Sequence, residues 1–132
     1  MYILLNLCFM KIRIKGNSIR LRLTKTEVSR FAESGVLAET TQMMGGEFVY
    51  TLRASSDVKT LAAEWKSPNQ IQFLMPVELA NDWTQSDTIG HQHQLQLPNG
   101  AELFLLIEKD FVCLDNTFED QSDNYPNPNA VC

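Results

Sequence analysis

Five cations, Arg13, Lys15, Arg20, Arg22 and Lys25, stand close together in this 132-residue chain, the first four in two alternating pairs. Alternate residues of a strand point to one side, so Arg13, Lys15, Arg20 and Arg22 can share one exposed face. Such a row can contact phosphates and base edges. This basic hairpin is the first candidate site, and a nucleic acid is the partner that suits it. Exposed strand cations also solubilise a face and guard an edge against stray pairing, and that plainer reading stands beside the first.

A second candidate lies at the other end. Cys113, Asp115, Asp120, Asp123 and Cys132 carry thiolates and carboxylates that could close around a metal ion. No CxxC pair is present, and Cys113 follows Phe111-Val112, where a buried apolar thiol is the ordinary outcome. A disulfide between Cys113 and Cys132 is the other chemistry open to them. His91 and His93, two apart, would share one strand face as a metal or acid/base pair, although Leu95 and Leu97 continue that face as a core rim. Asp115 to Asp123 lacks the spacing and central glycine of a calcium loop. No P-loop, GxSxG, GxGxxG or HExxH motif occurs, and no nucleophile with its base can be nominated. The expectation is a non-enzymatic binding or regulatory module without a cofactor. A metal- or thiol-dependent small protein is the alternative, and an adaptor presenting Phe104 or the acidic tail to another protein is a third reading.

Composition narrows the classes. At 44% hydrophobic and 20% charged the chain suits an ordinary globular domain. The formal net charge of −5 argues against indiscriminate polyanion binding, but the charge is segregated. Lys11, Arg13, Lys15, Arg20, Arg22, Lys25 and Arg30 face one acid, Glu27, between residues 11 and 30. Glu108, Asp110, Asp115, Glu119, Asp120 and Asp123 cluster near the end, so the tail could lie over the basic hairpin as its partner or lid. Three cysteines make no disulfide framework and suit a reducing cytoplasm. No apolar run approaches the length of a membrane span, so no membrane partner is expected. Met1 to Phe9 lacks a basic leader and a cleavage site, which favours a start at Met10 with 1–9 as an extension.

Several elements must position these groups. Lys11 to Lys15 alternates as a half-buried strand, Gly16-Asn17 turns, and Ile19, Leu21 and Leu23 mark the returning strand. Thr24-Lys25-Thr26-Glu27 fits a capping box, Val28, Phe31 and Ala32 a buried helical stripe, and Gly35 its terminator. A second hairpin turns at Gly45-Gly46. Val58 to Trp65 reads as a strand pairing with Ile71 to Met75 across Ser67-Pro68-Asn69. Pro76 opens a second helix with Leu79, Ala80 and Trp83 inside. Pro98-Asn99-Gly100 joins His91 to Leu97 with Ala101 to Glu108. Phe31, Tyr50, Phe73 and Trp83 are expected in the core.

The chain repeats itself. A shift of 52 lays Ile19, Leu21, Leu23 and Phe31 on Ile71, Phe73, Met75 and Trp83, and Leu37 on Ile89. Past a small length difference, Phe48, Tyr50 and Leu52 fall on Leu103, Leu105 and Ile107. The fold expected is mainly β (α+β): two ββαββ pseudo-repeats, 11–54 and 58–110, in one barrel-like domain over 10–115, then an extended acidic tail, 116–132.

Gln70-Ile71-Gln72-Phe73-Leu74-Met75-Pro76-Val77-Glu78-Leu79, with the Pro98-Asn99-Gly100 hairpin, resembles the AbrB/MraZ swapped-hairpin pattern. Two such units resemble the MraZ arrangement, which implies DNA binding through the hairpin arginines and the following helix start. Thr24 stands where the first unit should carry proline, no glycine precedes the second strand at the expected spacing, and the second unit is nearly uncharged. Over almost its full length from Met10, the chain also resembles a small uncharacterised family of Bacteroidota-type bacteria, with Lys11 to Thr24 and Cys113 to Pro128 as its ends. That likeness implies no activity.

Overall fold

The computed structural model describes residues 10–111 and 122–126. Ten elements follow one another: β1 (Lys11–Lys15), β2 (Ser18–Leu23), α1 (Lys25–Ser34), β3 (Val36–Met43), β4 (Gly46–Ser55), β5 (Ala62–Ser67), β6 (Gln70–Pro76), α2 (Val77–Gln85), β7 (Gly90–Gln96) and β8 (Glu102–Lys109). Val58 to Trp65 is thus a strand only from Ala62 onward. Pro76 ends β6 and is the N-cap of α2 rather than its first helical residue.

The mainly β, α+β class expected from the sequence holds, with two four-stranded sheets that do not close into a barrel. Sheet I runs β1-β2-β8-β7 and sheet II runs β3-β4-β6-β5. Each sheet therefore takes one hairpin from each repeat, joined through central parallel pairs, β2 with β8 and β4 with β6. The repeat is visible in the register. Leu21 faces Ile107 in sheet I, and their equivalents, Phe73 and Leu52, face each other in sheet II. Ile19 with Leu105 likewise matches Ile71 with Tyr50.

Those inward residues form a single apolar cluster. Leu21, Leu23, Leu52, Phe73, Met75, Leu105 and Ile107 are buried, as are Phe31 and Trp83 from the helices. Burying one such side chain stabilises by about 1.5–3 kcal/mol. Phe31 and Trp83 occupy equivalent places and meet each other edge to face, with centroids 6.2 Å apart. Trp83 Nε1 also donates to the Ile89 carbonyl at 2.9 Å, so its polar edge is satisfied.

One detail of the repeat shifts. A single residue, Gly35, joins α1 to β3, whereas Ser86, Asp87, Thr88 and Ile89 join α2 to β7. Leu37, opposite Leu52, therefore corresponds to His91, opposite Ile107, and not to Ile89.

Candidate nucleic-acid interface

Strand alternation and register place the cations. On the outer face of sheet I, one row across the sheet reads Arg13, Arg20, Leu106 and Gln92. The next row reads Lys15, Ser18, Phe104 and Gln94, and the opposite neighbour reads Lys11, Arg22, Glu108 and Gly90. Phe104, the adaptor candidate, is half-buried in the middle of this face.

The basic face is partly neutralised from within the sheet. Arg20 sets both Nε and Nη2 on Glu108 Oε2, at 2.6 and 2.5 Å. Arg22 lies 3.6 Å from both Glu108 and Asp110. Lys11 Nζ lies 3.1 Å from Asp110 Oδ2, which has no hydrogen bond of good geometry and is held by charge alone. Of these, the Arg20–Glu108 contact is a charge-assisted hydrogen bond, shorter and stronger than a neutral one. Arg13, Lys15 and Lys25 are exposed and form no ion pair with another described residue. Among the described residues, the five expected cations thus fall into two that form ion pairs and three that form none.

Sheet II has the same skeleton and another surface. Where sheet I carries Arg13, Arg20, Leu106 and Gln92, sheet II carries Glu64, Gln72, Thr51 and Ala38. Lys11, Arg22 and Glu108 correspond to Ala62, Leu74 and Arg53. Arg53 donates to Gln72 at 3.2 Å and Gln72 to Glu64 at 3.1 Å, a closed network with no cationic surplus.

The described part of the acidic tail rests on the start of α1, beside Lys25. Thr24 and Glu27 form the expected capping box: Thr24 N–H donates to Glu27 Oε1 at 2.9 Å, and Glu27 N–H donates back to Thr24 Oγ1. Asp123 completes the turn. Its carbonyl accepts from Lys25 N–H at 3.0 Å, and its carboxylate accepts from Thr26 N–H at 3.2 and 3.3 Å. An anion is favoured at that end of a helix. Tyr125 then bonds the Asp110 carbonyl through its N–H at 2.8 Å and packs on Phe111. Asp123 therefore serves as a helix cap. The other metal candidates, Cys113, Asp115, Asp120 and Cys132, lie outside the described residues, and no group of three metal-ligating side chains occurs among the described ones.

His91 and His93 do share a face, opposite buried Ile107 and Leu105, so they line the core side of β7. His91 Nε2 stands 3.7 Å from Asp82 Oδ2.

The sequence reading missed a buried polar cluster between the sheets. Glu27 is 1% exposed, with Oε2 unpartnered, and burial pushes its carboxyl up to about 7. Burial also raises the carboxyl of Glu39, which accepts from Met10 N–H at 3.2 Å. Tyr50 donates to the Met10 carbonyl at 2.5 Å, and burial, with the nearby Glu39 and Glu27 charges, moves its hydroxyl up to about 12. The capping-box pattern does reveal Glu27, but not that a core closes over it.

A model described as a family of unknown function, DUF7009, matches residues 10–129, and the chain belongs to that family. No curated protein and no solved structure matches it. Among the described residues, no helix is long and apolar enough to cross a membrane.

Proposed function

We propose that this DUF7009 protein is a non-enzymatic DNA-binding module that lays the outer face of sheet I against the phosphate backbone. One observation carries the reading: a repeated frame bears a cationic surplus on one sheet and none at the equivalent positions of the other. Folding does not require those charges, because sheet II assembles in the same register with Glu64, Gln72, Ala62 and Leu74 in their places. Arg13 and Lys15, exposed and without an ion pair to another described residue, make the first phosphate contacts. Arg20, held by two short contacts to Glu108, keeps a fixed geometry beside Arg13, and Arg22 lies 3.6 Å from Glu108 and Asp110. The AbrB/MraZ resemblance supports the same ligand and the same hairpin, and Lys25 at the start of α1 extends the surface.

The test is binding of the full chain to labelled duplex DNA across a salt series. Wild-type affinity is expected to fall with salt, and Arg13→Ala/Lys15→Ala to flatten the log–log slope by about 2, roughly 0.9 per lost contact. Glu108→Gln, which releases Arg20, is expected to raise affinity. A wild-type protein that leaves duplex DNA unbound at low salt, with or without Glu108→Gln, retires the proposal.

A further inference from the structure

The two repeats differ in the connection after the helix, one residue against four, and there the second repeat opens a cavity. Ser86, Asp87 and Ile89 from that connection form one wall, and Lys109, Phe111, Tyr125 and Pro126 form the rest, around about 290 Å³. Its surroundings in the first repeat are different in kind. Ala54 N–H bonds the Gly35 carbonyl just as Lys109 N–H bonds the Ile89 carbonyl, so Ala54 is the counterpart of Lys109. A longer connection and a lysine in place of an alanine thus arrive together, at one spot.

Lys109 is an unusual cation. The residue is 4% exposed, and burial lowers the pKa of its amine. An ammonium carries three protons. One goes to the Ser86 carbonyl at 2.8 Å, at the C-cap of α2, where the helix end favours positive charge. A second contact is the Tyr125 ring, whose centroid lies 5.3 Å from Nζ. No carboxylate among the described residues forms an ion pair with it; Asp87 and Asp82 act on it only from farther off. A buried charge without a close partner is costly, and an anion brought by a ligand would offset that cost.

We propose that this cavity binds a small organic monocarboxylate with an aromatic or branched apolar body. The carboxylate accepts from the spare proton of Lys109, and the body lies against Ile89, Phe111, Tyr125 and Pro126. This is the usual build of a small-molecule site, apolar walls with one well-placed polar group. Asp87 on the wall sets the charge limit, because its carboxylate repels a second negative group and so selects against dicarboxylates and phosphate esters.

The experiment is a titration of the full chain, followed by NMR and calorimetry, with benzoate, its neutral isostere benzamide, and phthalate as a dianion. Benzoate is expected to bind saturably and at least about tenfold more tightly than either of the others, the ratio one charge-assisted hydrogen bond sustains. Lys109→Met is expected to lose that preference. The contrast between benzoate and benzamide on the wild-type protein holds even if the variant folds poorly. Equal binding of the two, or no saturable binding of benzoate, overturns the proposal, and neither result depends on whether DNA binds.

Discussion

Sheets I and II are built on one register and present opposite surfaces. The parallel pair Leu21 with Ile107 and its counterpart Phe73 with Leu52 face the same core, and all four are buried. Outward, sheet I shows Arg13, Lys15, Arg20 and Arg22, whereas sheet II shows Glu64 and Gln72 where Arg13 and Arg20 would stand. The inward half of each strand is constrained by packing, and the outward half is not; on that freer half sheet I carries cations and sheet II does not.

The sharpest test of the shared frame is at its centre. Trp83→Ala and Phe31→Ala remove equivalent, fully buried rings, and each is expected to cost about 3–5 kcal/mol in urea unfolding. Trp83→Ala is expected to be the more damaging, because the indole also bonds the Ile89 carbonyl. A loss confined to one of the two would mean that the repeats do not share the core equally.

Next comes a position where the equivalence fails sterically. Gly90 sits where the first repeat has Val36. A Cβ on Gly90 would strike the Ile107 carbonyl oxygen and come within 2.7 Å of Glu108 Cβ. Gly90→Ala is therefore expected to destabilise by about 1–3 kcal/mol, and Val36→Ala by less. Equal effects would show that β7 can shift away from β8.

The helix starts differ as well. Glu27 of α1 corresponds to Leu79 of α2, so an ionisable group stands in one repeat where a leucine stands in the other. Its pKa rises from 4.5 to about 7 on folding, so the folded state holds the proton more tightly. The stability this contributes is full below about 4.5 and is lost as pH rises through about 7. Glu27→Gln keeps an acceptor for Thr24 N–H and removes the titration. Relative to the variant, the wild type is expected to lose about 2–3 kcal/mol between about pH 5 and about pH 8. A pH-independent difference would show that water reaches the carboxylate.

The gentlest change is a transplant. Glu64→Arg/Gln72→Arg gives sheet II the counterparts of Arg13 and Arg20, with a stability change expected within about 0.5 kcal/mol. If cations on this frame are enough to hold a phosphate backbone, the variant gains salt-sensitive DNA binding. Without that gain, the neighbouring Phe104, Leu106 and glutamines of sheet I are needed too.

Much of this architecture was legible in the sequence. The capping box at Thr24 and the terminator at Gly35 act within a single helical turn, so local spacing was sufficient. The repeat was legible too, because apolar residues recur at the inward positions of both units wherever they share a core. Partnership between distant strands was not. Nothing near Arg20 in the chain announces Glu108, since a parallel pairing of β2 with β8 brings them together. Lys109 was equally hidden: between Glu108 and Asp110 it reads as one more surface charge, and only the strand register turns it inward. The length of the connection after α2 obscured the match of Leu37 to His91 in the same way.

The exchange of hairpins between repeats also sets an order of events during synthesis. β1 and β2 leave the ribosome first, yet their sheet lacks its second hairpin until β8 has emerged. A half-built apolar face waits from the synthesis of β2 until that of β8, and contacts so distant in sequence form slowly. Neither repeat can complete a four-stranded sheet by itself.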